Sequence, residues 1–99
     1  MADPALEVAR QERKIRNRAG MHARAAVKFV QLAAHFQSEI RVVKDGASVN
    51  GKSIMGLLTL VAACGLHITI EAEGPDAEEA VTALAALVET GFGEGVVDD

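Results

Sequence analysis

Residues 66–91, LHITIEAEGPDAEEAVTALAALVETG, contain the clearest change of period in the chain. Through residue 73 the side chains alternate, with Leu66, Ile68, Ile70 and Ala72 on one side and His67, Thr69, Glu71 and Glu73 on the other. A period of two is that of a strand with one buried face. Gly74-Pro75-Asp76 then reads as a turn feeding a helix N-cap. Beyond it Ala80, Val81, Leu84, Leu87 and Val88 recur at three and four, which predicts an amphipathic helix stopped by Gly91. A strand with one wet face, followed by a helix with one apolar stripe, points to helices laid over one side of a sheet.

The same reading extends upstream. Residues 38–44 (SEIRVVK) alternate, Asp45-Gly46 is a strong turn pair, and 47–50 (ASVN) returns, so the spacing predicts a hairpin. Ser53 can cap a helix through IMGLLTLVAAC that Gly65 would end. In residues 23–36 (ARAAVKFVQLAAHF), Ala26, Phe29, Val30, Ala33 and Phe36 form an inner stripe, and Lys28, Gln31 and His35 are left outside. Residues 12–17 (ERKIRN) supply a weaker strand, with Arg13, Ile15 and Asn17 on one side. The order β-α-β-β-α-β-α predicts an α+β fold: an open-faced two-layer β-sandwich, a four-stranded antiparallel sheet with three helices on one face. One domain is expected over residues 12–93, between an N-terminal extension at 1–11 and an acidic tail at 94–99 that frays.

Composition narrows the function classes. The chain has 99 residues, 49% apolar and 24% charged, which is globular and lacks any apolar run long enough for a membrane span. A net charge of −4 with no Trp or Tyr argues against nucleic-acid binding, which needs a basic surface and stacking platforms. No secretory leader is recognisable, so the cytoplasm is the expected compartment. Basic residues gather early, from Arg10 to Lys28, and acidic ones late, so one face has room for an acidic ligand or partner. Cys64 is a lone cysteine expected to be buried, and no metal site is expected, because His22 and His35 fall about 20 Å apart on one helix.

GMHARAA, residues 20–26, holds the chemistry. His22 precedes a helix whose first N–H groups have no intrahelical partner and whose dipole is positive there, a place that favours anions. Imidazole is nucleophilic near neutral pH, so one ring nitrogen can take a phosphoryl group while the other is held by a hydrogen bond. Arg24 can hold phosphate oxygens, and Gly20 allows close backbone approach. By itself His-x-Arg is weak evidence and more often marks an ordinary surface or half-buried histidine. Ser53 reads as an N-cap or as a regulatory phosphorylation site. Ile54, Met55 and Leu58 read as core or as an exposed docking patch.

GMHARAAVKF, KSIMGL some 30 residues later and the element order together resemble the histidine-containing phosphocarrier protein (HPr) family of the phosphoenolpyruvate-dependent phosphotransferase system. The resemblance runs from about residue 12 to residue 93. It implies a carrier, not an enzyme, without cofactors, in which His22 takes phosphate from phospho-enzyme I on Nδ1 and passes it to a histidine of an enzyme IIA protein. Arg24 would neutralise phosphate charge, and Met21, Lys28, Lys52, Ile54, Met55 and Leu58 would dock the partners. Ser53 matches the serine phosphorylated in some members by HPr kinase/phosphorylase, which would make this chain a regulatory interaction module. A monomer is expected. GMHAR and the ending ETGFGE resemble nitrogen-related regulatory carriers, while KSIMGL resembles sugar-system members, so the branch stays open with a slight lean to a regulatory output. Ala25 departs from the proline that many members carry at the first helical turn.

Overall fold

The computed structural model describes residues 7–97. Its elements run β1 (Val8–Lys14), α1 (Ala23–Ala33), β2 (Glu39–Lys44), β3 (Ala47–Asn50), α2 (Ile54–Thr59), β4 (His67–Glu73) and α3 (Ala77–Glu89), followed by a 3₁₀ turn at Gly91–Gly93. The strands form one antiparallel sheet in the order β1-β4-β2-β3, with the helices over one face, as the periodicity predicts. β4 supplies Ile68, Ile70 and Ala72 to the core, and α1, α2 and α3 close over them with Phe29, Leu57 and Leu84, all buried. Asp45 and Gly46 both take positive φ, +50° and +81°, which is how a two-residue hairpin turn matches the twist of its strands.

The differences from the sequence reading have local causes. β1 begins at Val8 and ends at Lys14, so part of the expected extension is strand, paired from Val8 with Glu73 to Lys14 with His67. VARQERK has little strand character of its own; the partner edge of β4 sets its length. Ile15 and Asn17 lie beyond the strand but are fully buried. α1 ends at Ala33, short of Phe36, because the His35 and Phe36 amides turn back to the Leu32 and Ala33 carbonyls, each at 3.1 Å, in a tightened last turn.

α2 is six residues long and stops far short of Gly65. The segment after it is claimed by the chain around Ile15: the Met21 amide donates to Ala62 O at 2.9 Å, Gly65 N to Ile15 O at 2.8 Å, and Ile15 N to Leu66 O at 2.8 Å. Val61 is forced to φ +51°, costly for a β-branched residue, as the chain leaves the helix. Cys64, expected to be buried, is exposed on this segment, and Leu66 is 43% exposed, off the inner face of β4. Asp76 sits at the N-cap of α3, yet its side chain does not cap it. It accepts instead from the Gln37 and Ser38 amides, both at 2.9 Å, and from the Ser38 hydroxyl at 2.6 Å. Those bonds, led by the one from the Ser38 hydroxyl and followed by that from Gln37, hold its carboxyl below the usual carboxylate range.

Candidate functional site

The loop between β1 and α1 is shaped by Asn17 and Gly20. The Gly20 amide donates to Asn17 O at 3.1 Å, and the Asn17 side-chain amide donates to Gly20 O at 2.8 Å. Gly20 takes φ +68° and packs against the backbone of residues 62–64, where an added Cβ would lie 2.6 Å from Ala62 O. Only glycine fits both the backbone angle and the space.

This turn delivers His22 to the N-cap of α1 in an extended conformation. Its Nδ1 accepts from the Arg24 amide at 3.2 Å, so the imidazole caps the helix with the nitrogen lone pair aimed at the N-terminal amides. Nε2, on the other side of the ring, lies 2.5 Å from Glu94 Oε2. The ring is a quarter exposed and open to an approaching molecule. Arg24 is exposed, and among the described residues its guanidinium has no ion-pair partner within 4.0 Å. An unpaired guanidinium beside an anion-favouring helix start is suited to bind oxyanions. Ala25 is fully buried in the first turn.

Glu94 went unnoticed in the sequence, where residues 94–99 read as a fraying tail. The structure ties residues 94–97 down instead, and 98–99 lie outside the described residues. Phe92, in a left-handed conformation at φ +55°, is fully buried, and its carbonyl receives Lys28 Nζ at 2.8 Å. The Val97 amide donates to Arg16 O at 2.8 Å. Glu94 Oε1 accepts from the Asn17 amide at 3.0 Å. That bond, aided by the contact with His22 and by the Arg24 charge, holds the Glu94 carboxyl below its ordinary range against the opposing effect of desolvation. Asn17 is likewise a site residue missed in the sequence. The available signal was Phe92, a lone large apolar side chain between two glycines in an otherwise polar stretch.

The expected docking residues divide. Met55 is 72% and Ile54 37% exposed, and Leu58 is half-buried beside them, so α2 presents an apolar patch to solvent. Met21 is only 6% exposed and supports the surface from beneath. Lys28 and Lys52 are half-buried, and their ammonium groups are engaged with the carbonyls of Phe92 and Phe36. Ser53 caps α2, its hydroxyl accepting from the Gly56 amide at 3.0 Å. Among the described residues no group of three or more His, Cys, Asp or Glu side chains could hold a metal, and no helix is long and apolar enough to cross a membrane.

Comparison with known proteins gives a consistent result. A family model described as the PTS HPr component phosphorylation site matches residues 9–90. The phosphocarrier protein HPr of Neisseria meningitidis is 50% identical over 86 residues, covering 87% of this chain and 97% of the relative. The HPr-like protein Crh of Bacillus subtilis is 44% identical over 79 residues, covering 80% and 93%. The crystal structure of HPr from Thermoanaerobacter tengcongensis superposes with a TM-score of 0.85 at 45% identity, covering 89% of this chain and 99% of that one. With matching motifs, element order and fold over most of its length, the chain belongs to the HPr phosphocarrier family of the phosphotransferase system.

Proposed function

We propose that this protein accepts a phosphoryl group from phospho-enzyme I on His22 Nδ1 and passes it to a histidine of an enzyme IIA protein. The observation that carries this reading is the direction of the ring: Nδ1 faces the α1 amides, with the Arg24 backbone N–H 3.2 Å away. The phosphoryl oxygens would lie where unpaired amides, the helix dipole and the Arg24 guanidinium all favour negative charge. The nitrogen lone pair forms the N–P bond as the donor's bond to phosphorus breaks, and the reverse step returns the pair to Nδ1. The protein is a stoichiometric carrier, regenerated by its partners. Both partners use the apolar patch of Ile54, Met55 and Leu58 beside the site, through contacts small enough to release. It works in the cytoplasm as a monomer, and both exchanges use the same open face of His22.

Incubation with phosphoenolpyruvate and enzyme I should give one acid-labile phosphate per chain, mapped to His22 and absent in His22→Ala. Equal labelling of His22→Ala would refute the assignment. Arg24→Ala should slow transfer while leaving the thermal midpoint within a degree or two of the parent, since exposed charges contribute little to stability.

A second reading is favoured by Ser53 and by the resemblance to Crh. Ser53 is half-exposed at the N-cap of α2, next to the apolar patch, where an added phosphate would change the docking surface. In that reading a serine kinase produces an acid-stable phosphate, and the modified chain regulates a partner. Unchanged partner binding on Ser53→Asp would count against it.

A further inference from the structure

We infer that Glu94 is the positioning residue for His22: its carboxylate fixes the ring proton on Nε2, leaves the reactive lone pair on Nδ1, and balances the charge the ring gains on phosphorylation. This inference rests on the carrier reading and adds a residue to its site.

The hydrogen bonds assign the tautomer. Nδ1 faces a backbone N–H, which can only donate, so Nδ1 is an acceptor. A neutral imidazole has one N–H, which is then on Nε2, 2.5 Å from a carboxylate oxygen that can only accept. Reversing the tautomer would set a donor against the Arg24 amide and a lone pair against the carboxylate.

Glu94 is itself held in place, unlike an acidic side chain that meets a histidine by chance. Its second oxygen takes the Asn17 amide at 3.0 Å, and Asn17 is fully buried and also bonded to Gly20 O. The turn behind it is pinned by the buried Phe92 ring and by Lys28 on Phe92 O. The chain after it is fixed by the bond from Val97 to Arg16. Of the charged groups in this region, the Glu94 carboxylate is the one in contact with the ring, Arg24 of α1 adds its charge beside that carboxylate, and the Lys28 ammonium is engaged with Phe92 O.

The chemical consequence follows from proton counting. When the Nδ1 lone pair forms the N–P bond and the donor's bond to phosphorus breaks, Nε2 keeps its proton. The ring then carries a positive charge, with the phosphoryl group on one side and the Glu94 carboxylate on the other. When the N–P bond breaks in the onward step, the electron pair returns to Nδ1 and the leaving group is neutral imidazole with its proton still on Nε2. Loss of that proton would make the leaving group an imidazolate anion, which leaves far less readily. Glu94 therefore keeps the phosphoryl group transferable.

The test compares the wild type with Glu94→Gln, which keeps size and removes charge at a surface position. Both are ¹⁵N-labelled for imidazole correlation spectra, phosphorylated with potassium phosphoramidate so that no partner protein is needed, and followed by ³¹P NMR as a function of pH. The wild type should show a single Nε2–H tautomer. In the phosphorylated form, where the carboxylate favours the proton on Nε2, dephosphorylation of the variant at mildly alkaline pH should be about tenfold slower than that of the wild type. Identical tautomers together with coincident pH profiles would overturn the inference. The two readings fail separately. If enzyme I does not label His22 but chemically formed phosphohistidine still depends on Glu94, the carrier reading fails and the role of Glu94 stands. If enzyme I labels both proteins and their tautomers and pH profiles coincide, the role of Glu94 fails and the carrier reading stands.

Discussion

Gly20→Ala tests the link between the loop and the site. At φ +68° an alanine adopts a left-handed backbone, at about 1 kcal/mol. Its Cβ would also stand 2.6 Å from Ala62 O and 3.0 Å from Ala63 Cα, both backbone atoms that cannot rotate away. The segment at 62–64 must retreat, and the bond from the Met21 amide to Ala62 O, 2.9 Å in the native protein, is stretched or lost, at about 1 kcal/mol more. The sum, about 2 kcal/mol, corresponds to a fall of roughly 8–16 °C in Tm for a domain of this size. The site should move too, because the Gly20 carbonyl receives both the His22 amide and the Asn17 side chain. Gly46→Ala is the control: φ is +81° but nothing lies within 4 Å of its Cβ, so only the backbone cost of about 1 kcal/mol remains. Urea melts followed by circular dichroism, with the His22 ring resonances read in the same samples, measure both effects. Equal losses for the two variants, with unmoved His22 resonances, would refute the steric argument.

Three further outcomes are expected. Ser53→Ala should cost about 1 kcal/mol in a urea melt by removing the cap on Gly56; an unchanged midpoint would show that so short a helix is held by packing alone. Met55→Asp should leave Tm within a few degrees, since the side chain is 72% exposed, but should weaken enzyme I binding on a titration calorimeter. Asp76 has a lower pKa folded than its ordinary value of 3.8, so the unfolded chain binds the proton more readily, and the stabilisation present above that value is lost as pH falls through the folded one. Melts from pH 6 to pH 2 should therefore show the stability gap between wild type and Asp76→Asn narrowing below pH 3.8, and a constant gap would contradict the assigned bonds.

Periodicity made the architecture legible. β4, the β2-β3 hairpin, α1 and α3 each carry a repeat of two or of three and four strong enough to name the element and its buried face, because burial of one face is a local constraint written every few residues. His22 and Arg24 stood out as candidates for a different reason: the anion-favouring helix start lies within a few residues of both, and the resemblance carried by GMHARAAVKF and KSIMGL singled them out. Where local preference and tertiary bonding disagree, tertiary bonding decided. The apolar run after Ser53 has the composition of a longer helix, yet Ala62, Gly65 and Leu66 bond to the chain around residues 15–21, and α2 ends at Thr59. VARQERK is a strand because β4 has an open edge. Asp76 binds the end of the α1–β2 connection in preference to its own helix. Glu94 is the clearest case. Its position 72 residues beyond His22 is invisible to any local pattern, and it reaches the ring only because Phe92 buries itself in the core and Asn17 turns its amide toward the carboxylate. The sequence by itself determined the sheet, its helical cover and the placement of His22 and Arg24 at the start of α1; only the folded chain, by packing the turn at Gly91–Gly93 beside the loop after β1, brought the Glu94 carboxylate to the His22 ring.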